Sequence, residues 1–146
     1  MMFLFRLSIV FALLCSLFFA FTLPANAMSV DIDVEVQTTK ASGKNWDIFQ
    51  GSPDIAICIT NPQGTICYPE GSDYRMILEP ECPDSFQCSF KDVVTEEENV
   101  KVSVIDVDVM LNDMISVGYC QVGEDCDIGQ AKITVTSQQE DSGWFR

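Results

Sequence analysis

The clearest pattern along the chain is a strict alternation of apolar residues with acidic or amide residues from Val30 to Gln37. A period of two residues predicts a β-strand that packs on one face only. The same period returns from Val100 to Val104, where valines alternate with Lys101 and Ser103. Both segments are therefore predicted to be strands with one buried face.

A second kind of strand is predicted from Ile55 to Thr60, because this run is β-branched and nearly continuously apolar. Pro and Gly between Asn61 and Gly64 predict a turn that leads into a hairpin partner at Thr65–Tyr68. No stretch shows sustained helical periodicity, and four more short strands are predicted at residues 74–78, 86–90, 114–120 and 131–136. Short strands between turn signals are typical of a β-sandwich or a barrel, and we expect an antiparallel sandwich of about eight strands.

The first 27 residues have the form of a signal peptide. Arg6 precedes an apolar run from Ile9 to Phe21, and Ala25–Ala27 has the small-x-small form of a cleavage site. No later apolar run approaches the roughly 18 residues that a membrane-spanning helix requires. We expect an exported protein, secreted or periplasmic, with the sandwich at residues 28–137 and a polar tail at 138–146.

The chain is strongly acidic, with 22 Asp and Glu against 8 Lys and Arg. All of the acidic residues follow the predicted leader, whereas Arg6 lies inside it, so the formal charge of the exported part is about −15. Phosphate binding needs clustered Lys and Arg, and a nucleic-acid partner is therefore not expected. An acidic surface suits solubility, metal cations or basic partners.

Six cysteines remain after Cys15 is removed with the leader, and an even number in an exported chain predicts three disulfides. Fifteen connectivities are formally open. Neighbours in sequence suggest short loops closed by Cys58 with Cys67, Cys82 with Cys88, and Cys120 with Cys126. A zinc cluster is the alternative, but the chain has no His and no C-x2-C spacing.

Carboxylates gather where the strand of Val100–Val104 is expected to end, at Asp106, Asp108 and Asp113. Such groups repel one another unless a proton or a cation intervenes, and Ca²⁺ prefers six to eight oxygen ligands. An EF-hand does not fit the segment, because Leu111 and Val117 stand where that loop needs Gly and Glu. The alternative is that these are solvent-facing turn residues, a position that Asp favours.

Two further aspartates, Asp47 and Asp54, precede the buried strand at Ile55. Together with the pattern Val-Ile-Asp106-x-Asp108-x4-Asp113-Met-Ile, they resemble the C2 domain, a calcium-dependent phospholipid-binding β-sandwich. The resemblance implies that Asp47 and Asp54 are Ca²⁺ ligands from the first loop at one end of the sandwich. It implies that the ligands from the third loop are Asp106, Asp108 and Asp113.

Apolar residues lie between the predicted ligands, Ile48 and Phe49 in one loop and Met110 and Leu111 in the other. The resemblance implies that such loop tips contact an anionic lipid surface beside bound Ca²⁺. The alternative is that they cover the end of the sandwich. Lysine-rich lipid-facing strands are missing, so lipid binding would depend on bridging metal.

The absence of His removes the Ser-His-Asp and Cys-His arrangements, and we do not expect an enzyme. The leading hypothesis is an exported calcium-binding C2-like module that recognises lipid or protein through its calcium loops. The alternative is a metal-independent interaction or structural sandwich, such as an inhibitor or a surface-associated domain. A small hydrolase that uses paired carboxylates is a third, weaker hypothesis.

Overall fold

The computed structural model describes residues 27–46, 51–69, 71, 74–109 and 111–138. These residues form a 3-10 helix at Tyr74–Met76 and eight strands: β1 (Met28–Val36), β2 (Ile55–Asn61), β3 (Gly64–Tyr68), β4 (Gln87–Thr95), β5 (Asn99–Asp106), β6 (Asp113–Gln121), β7 (Asp125–Ile128) and β8 (Ala131–Ser137). Every strand pairing is antiparallel. The predicted all-β class is therefore confirmed. In the part of the chain that the structure describes, no helix has the length and apolar character to span a bilayer.

The strands form two four-stranded sheets, in the orders β4-β1-β8-β7 and β3-β2-β5-β6. The two sheets enclose one apolar core, as expected for a sandwich. Strand β1 behaves as predicted, because Val30, Ile32 and Val34 are buried while the acidic residues between them are partly or fully exposed. In β5, Val100, Val102 and Val104 face the core, but Ser103 and Ile105 are buried as well, so the prediction of one buried face is wrong for this strand.

Strand β2 is buried on both faces, which explains its nearly continuous apolar sequence. Its isoleucines pack in the core between the sheets. Ala56 and Cys58 point to the opposite face, where Ile77 and the half-buried Tyr74 cover them. The predicted strand at 74–78 is wrong: Tyr74 and Ile77 are three residues apart, so one turn of 3-10 helix places both on the sheet.

Two other elements differ from the prediction. Strand β4 continues beyond the predicted residues 86–90 as far as Thr95, through an irregular position at Asp92 with a φ of 56°. Strand β7 was not predicted, because its four residues are too few for a convincing alternation; it begins inside the predicted Cys120–Cys126 loop and extends to Ile128. It pairs with β8, Asp125 opposite Thr134.

The three predicted disulfides are confirmed, and they leave none of these six thiols for a zinc site. Cys58 and Cys67 lie opposite each other on β2 and β3. Cys120 of β6 and Cys126 of β7 join the two sheets. The remaining bond links Cys82, whose backbone pairs with Ile55, to Cys88 in β4.

The antiparallel registers bring the ends of several strands together at one end of the sandwich. Asp106 lies opposite both Ile55 and Asp113, and Ser85 N donates a hydrogen bond to Pro53 O at 3.1 Å. The three longest connections, 37–54, 69–86 and 107–112, therefore begin and end here. We call this the loop end.

Candidate functional site

The centre of the loop end is Asp106, the last residue of β5. Its side chain follows Val104 on the core side of the strand, and the residue is only 4% exposed. Its Oδ1 accepts a hydrogen bond from the Asp54 backbone N–H at 2.9 Å. Burial raises the pKa of Asp106 to about 6, the carboxylates of Asp108 and Asp54 add to the rise, and the Asp54 N–H bond opposes it. Asp106 is thus a buried acid whose charge the protein only partly compensates.

Asp54 ties the loops of this end to one another. Its carbonyl oxygen accepts from the Val107 N–H at 2.8 Å, immediately after β5. Its Oδ1 accepts from the Asp84 N–H at 2.8 Å, in the connection that leads to β4. Asp84 has a positive φ of 49°, a conformation that Asp tolerates better than most residues. One carboxylate oxygen of Asp54 therefore has a structural role.

Asn112 holds the 107–112 loop against the neighbouring connection. Its Nδ2 donates to Tyr74 O at 2.6 Å and to Ile77 O at 3.1 Å, and its Oδ1 accepts from the Asp108 N–H at 3.1 Å. The residue is buried, so both ends of its amide are used where water is scarce. Sequence analysis did not identify this role, since one Asn between two strands looks like an ordinary turn residue.

A lysine lies among the acidic residues. Lys40 Nζ forms an ion pair with Asp113 Oδ2 at 2.9 Å and lies 5.4 Å from the centre of the Trp46 ring. The hydrogen bond to Asp113 raises the pKa of Lys40, and the charges of Asp106 and Asp108 raise it further. Trp46 is buried and donates its indole N–H to Gln37 O at 2.7 Å, which fixes the ring beneath the ammonium group. Lys40 was not identified from the sequence.

The structure brings four of the five predicted ligands to the loop end: Asp54, Asp106, Asp108 and Asp113. The fifth, Asp47, lies outside the described residues, as do three of the predicted contact residues, Ile48, Phe49 and Met110. Within the described ranges, no three acidic, His or Cys side chains stand close enough together to hold a metal ion.

The donor set nevertheless suits Ca²⁺ in its chemistry, because carboxylate oxygens are the ligands that this ion prefers. The buried Asp106 is the group whose charge a cation would compensate most. Lys40 already pairs with Asp113, so an ion bound to this carboxylate would compete with the ammonium group. The residue types therefore suit Ca²⁺, whereas the described side chains do not stand close enough together to hold it.

Exposed apolar side chains lie on two of the connections at the loop end. Val109 and Leu111 project from the 107–112 loop, and Met76 and Leu78 from the connection that Asn112 binds. We call these four residues the apolar rim. Met76 and Leu78 also line a cavity of about 650 Å³. Leu111, one of the predicted contact residues, is exposed.

No protein-family model matches this chain, and no curated protein is detectably similar to it. The resemblance to the C2 domain therefore stays a prediction that depends on its short motifs. Function has to be argued from the residues of the loop end and their surroundings.

Proposed function

We propose that this protein is a calcium-binding recognition module whose ion site lies at the loop end. The observation that carries the proposal is Asp106, a carboxylate almost completely buried between Asp54 and Asp108. Burying a charge without a full partner costs free energy, and a cation bound beside it removes much of that cost. The C2-like motif supports the same residues.

Calcium fits this setting better than magnesium. Ca²⁺ accepts six to eight oxygens in irregular arrangements, whereas Mg²⁺ requires a nearly ideal octahedron. The carboxylates come from separate loops, and backbone N–H groups already orient Asp54 and Asp106. Because Lys40 already pairs with Asp113, we expect a weak site, with a Kd of about 10⁻⁴ to 10⁻³ M, as in extracellular calcium modules.

The apolar rim supports recognition as the output of this site. A bound divalent ion cancels part of the local negative charge and offers an anionic group a ligand position among the otherwise acidic loops. Val109, Leu111 and Leu78 are exposed, and we expect them to enter an apolar surface beside that group. The proposed partner is therefore an anionic lipid surface or an acidic protein group, bridged by Ca²⁺.

The test is a calorimetric Ca²⁺ titration of the oxidised protein purified from an exporting host. We expect saturable binding that is lost in Asp106→Asn/Asp108→Asn. A matched control, Asp33→Asn/Glu35→Gln, removes the same charge from the outer face of the other sheet and keeps binding. No heat of binding up to about 10 mM Ca²⁺ contradicts the proposal. Co-sedimentation with phosphatidylserine vesicles, in calcium and in EDTA, then tests the output.

A metal-independent interaction module is the second candidate, and one observation favours it. Lys40 already supplies a positive charge to Asp113, and the described residues hold no preformed cluster of three acids. The ammonium group would then be the permanent counter-ion of the loop end. In this case EDTA leaves partner binding unchanged, and Asp106→Asn/Asp108→Asn does not alter the response to calcium.

A further inference from the structure

Strand β6 is the last strand of its sheet. It pairs with β5 on one side, and no described strand pairs with its other side. In an antiparallel pair, alternate residues direct their backbone N–H and C=O groups away from the partner strand. The outer edge of β6 therefore presents a row of main-chain donors and acceptors, the usual template for adding another strand.

The edge of β6 carries little of the protection that edge strands usually have. From Met114 to Gln121 it contains no charged residue and no Pro. In contrast, β4 carries Lys91 and Asp92 at a register shift, and β7 carries Asp125 and Asp127. The one irregularity of β6 lies near Ile115, so the register from Ser116 to Gln121 is continuous.

The outer face of β6 is also apolar and uncovered. Met114, Val117 and Tyr119 lie opposite Ile105, Ser103 and Lys101 of β5, and they are 44%, 51% and 58% exposed. We call these three residues the edge stripe. Ile77 covers the same face farther along the sheet, over Ala56 and Cys58, but the edge stripe remains open to solvent.

Acidic residues frame the edge stripe at both ends. Asp113 precedes it, and Glu98 and Glu124 lie beside its far end, where their backbones bond to Val122 and Gln121. Lys101, opposite Tyr119, is the basic residue paired across from the stripe. The frame, and the net charge of −14, favour a partner that carries Lys or Arg.

We propose that the free edge of β6 binds an extended basic segment of a partner protein as an added strand. Apolar side chains of that segment pack on the edge stripe, while its Lys or Arg residues approach Glu98 and Glu124. The main chain supplies the affinity, and the alternating side chains supply the specificity. A second copy of this chain is a poorer occupant, because it brings the same acids to the interface. This surface requires no metal and is independent of the loop end.

The probe is the peptide acetyl-Lys-Val-Lys-Val-Lys-Val-Lys-amide, titrated into the oxidised protein in EDTA and in Ca²⁺. We expect equal binding in both, with slower hydrogen exchange at alternate amides between Met114 and Gln121. The counterpart with Glu in place of Lys is expected not to bind. Binding that Ca²⁺ abolishes assigns the probe to the acidic loop end and overturns the proposal.

Two variants, Val117→Lys and Tyr119→Lys, place a like charge on the edge stripe and are expected to weaken probe binding at least tenfold. The matched control is Ile66→Lys on β3, the opposite edge of the same sheet, where the residue is 43% exposed. Unchanged melting temperatures establish that all three variants are folded. The proposal is overturned if the control weakens binding equally, if exchange in β6 is unaltered, or if light scattering shows β6-dependent dimers instead.

Discussion

At the scale of single residues, the raised pKa of Asp106 makes the stability of the fold depend on pH. Its pKa is about 6 in the folded protein, against 3.8 for an unperturbed Asp side chain, because burial disfavours the charged form. Between these values the folded state holds a proton that the unfolded state has lost, so stability falls as pH rises from about 4 to 6. The charge of Asp106 costs about 3 kcal/mol at neutral pH, as an order of magnitude.

We therefore expect Asp106→Asn to raise the free energy of unfolding at pH 7 by about 1–3 kcal/mol in EDTA. Asn keeps an oxygen for the Asp54 N–H, so only the buried charge is removed. Urea unfolding at pH 4 to 7 measures the effect, and the variant should lose the slope within this window. Asp31 and Asp125 have lowered pKa values, so their effects appear below about pH 4 and do not confuse the result. A variant less stable than the parent at pH 7 contradicts this account.

The second prediction at this scale concerns the effect of Lys40 on the affinity for Ca²⁺. If Ca²⁺ competes with its ammonium group for Asp113, Lys40→Met lowers the Kd for Ca²⁺ about tenfold, equivalent to about 1.4 kcal/mol. The control is Lys44→Met, which removes the same charge from the same loop but from a residue without this ion pair. Calorimetry of both variants provides the comparison. Equal affinities in the two variants place the ion away from Lys40.

The sequence predicted the acidic residues of the loop end better than it predicted their partners. Asp54 and Asp106 were identified because a carboxylate at the end of an apolar strand is visible locally. Lys40 and Asn112 were not identified, because their partners are distant in sequence. Lys40 pairs with a residue 73 positions away, and Asn112 bonds to residues 38 and 35 positions away. Local patterns carry no information about such contacts, which exist only after the two sheets have assembled.

At the scale of elements, hydrophobic periodicity identified the strands whose burial pattern stays the same along their length. Strand β1 alternates because one face is buried, and β2 is continuous because both are. In β5 the alternation ends at Val104, and Ser103 and Ile105 on its other face are also buried. The failures were short elements: β7 has four residues, and the 3-10 turn at Tyr74–Met76 has an apolar spacing that a strand also allows. In both cases the neighbouring sheet, and not the local sequence, decides the conformation.

The prediction at this scale concerns the close contact between β6 and β7. A Cβ atom built at Gly118 lies 2.5 Å from Cγ2 of Ile128, and this β-branched side chain has little freedom to move away. We expect Gly118→Ala to lower the free energy of unfolding by about 1–3 kcal/mol. The cause is overpacking between the sheets, and the removal of Ile128 beyond Cβ should relieve it.

A double-mutant cycle with Ile128→Ala separates overpacking from other effects. Because the alanine removes Cγ1, Cγ2 and Cδ1, the double variant is expected to lose less stability than the sum of the two single variants. Urea unfolding of the four proteins measures the coupling energy. Additive losses would mean that Gly118 is required for its backbone conformation and not for the space it leaves.

At the scale of the whole molecule, the disulfides decide how the sandwich comes apart. In the loop-closure model each short loop contributes about 2.5 kcal/mol, and a domain is stable by only about 5–15 kcal/mol in total. The three bonds together are thus comparable with the stability of the fold. The pairing of the cysteines was predictable because each bond joins neighbours in sequence. Which strands and which sheets each bond connects was not predictable.

Burial predicts the order in which a reductant opens these bonds. Cys58 and Cys67 are both buried beneath the Ile77 segment, whereas Cys82 and Cys126 are partly exposed. Because exchange requires access to a sulfur atom, we expect the bonds of Cys82 and Cys126 to open first in limiting dithiothreitol. Timed alkylation and peptide mass spectrometry give the order, while near-UV circular dichroism follows the packing. The Cys58–Cys67 bond should open only as the native signal disappears, because its exposure requires the Ile77 segment to leave the sheet. Early opening of that bond in a still native sandwich would show that this segment detaches by itself.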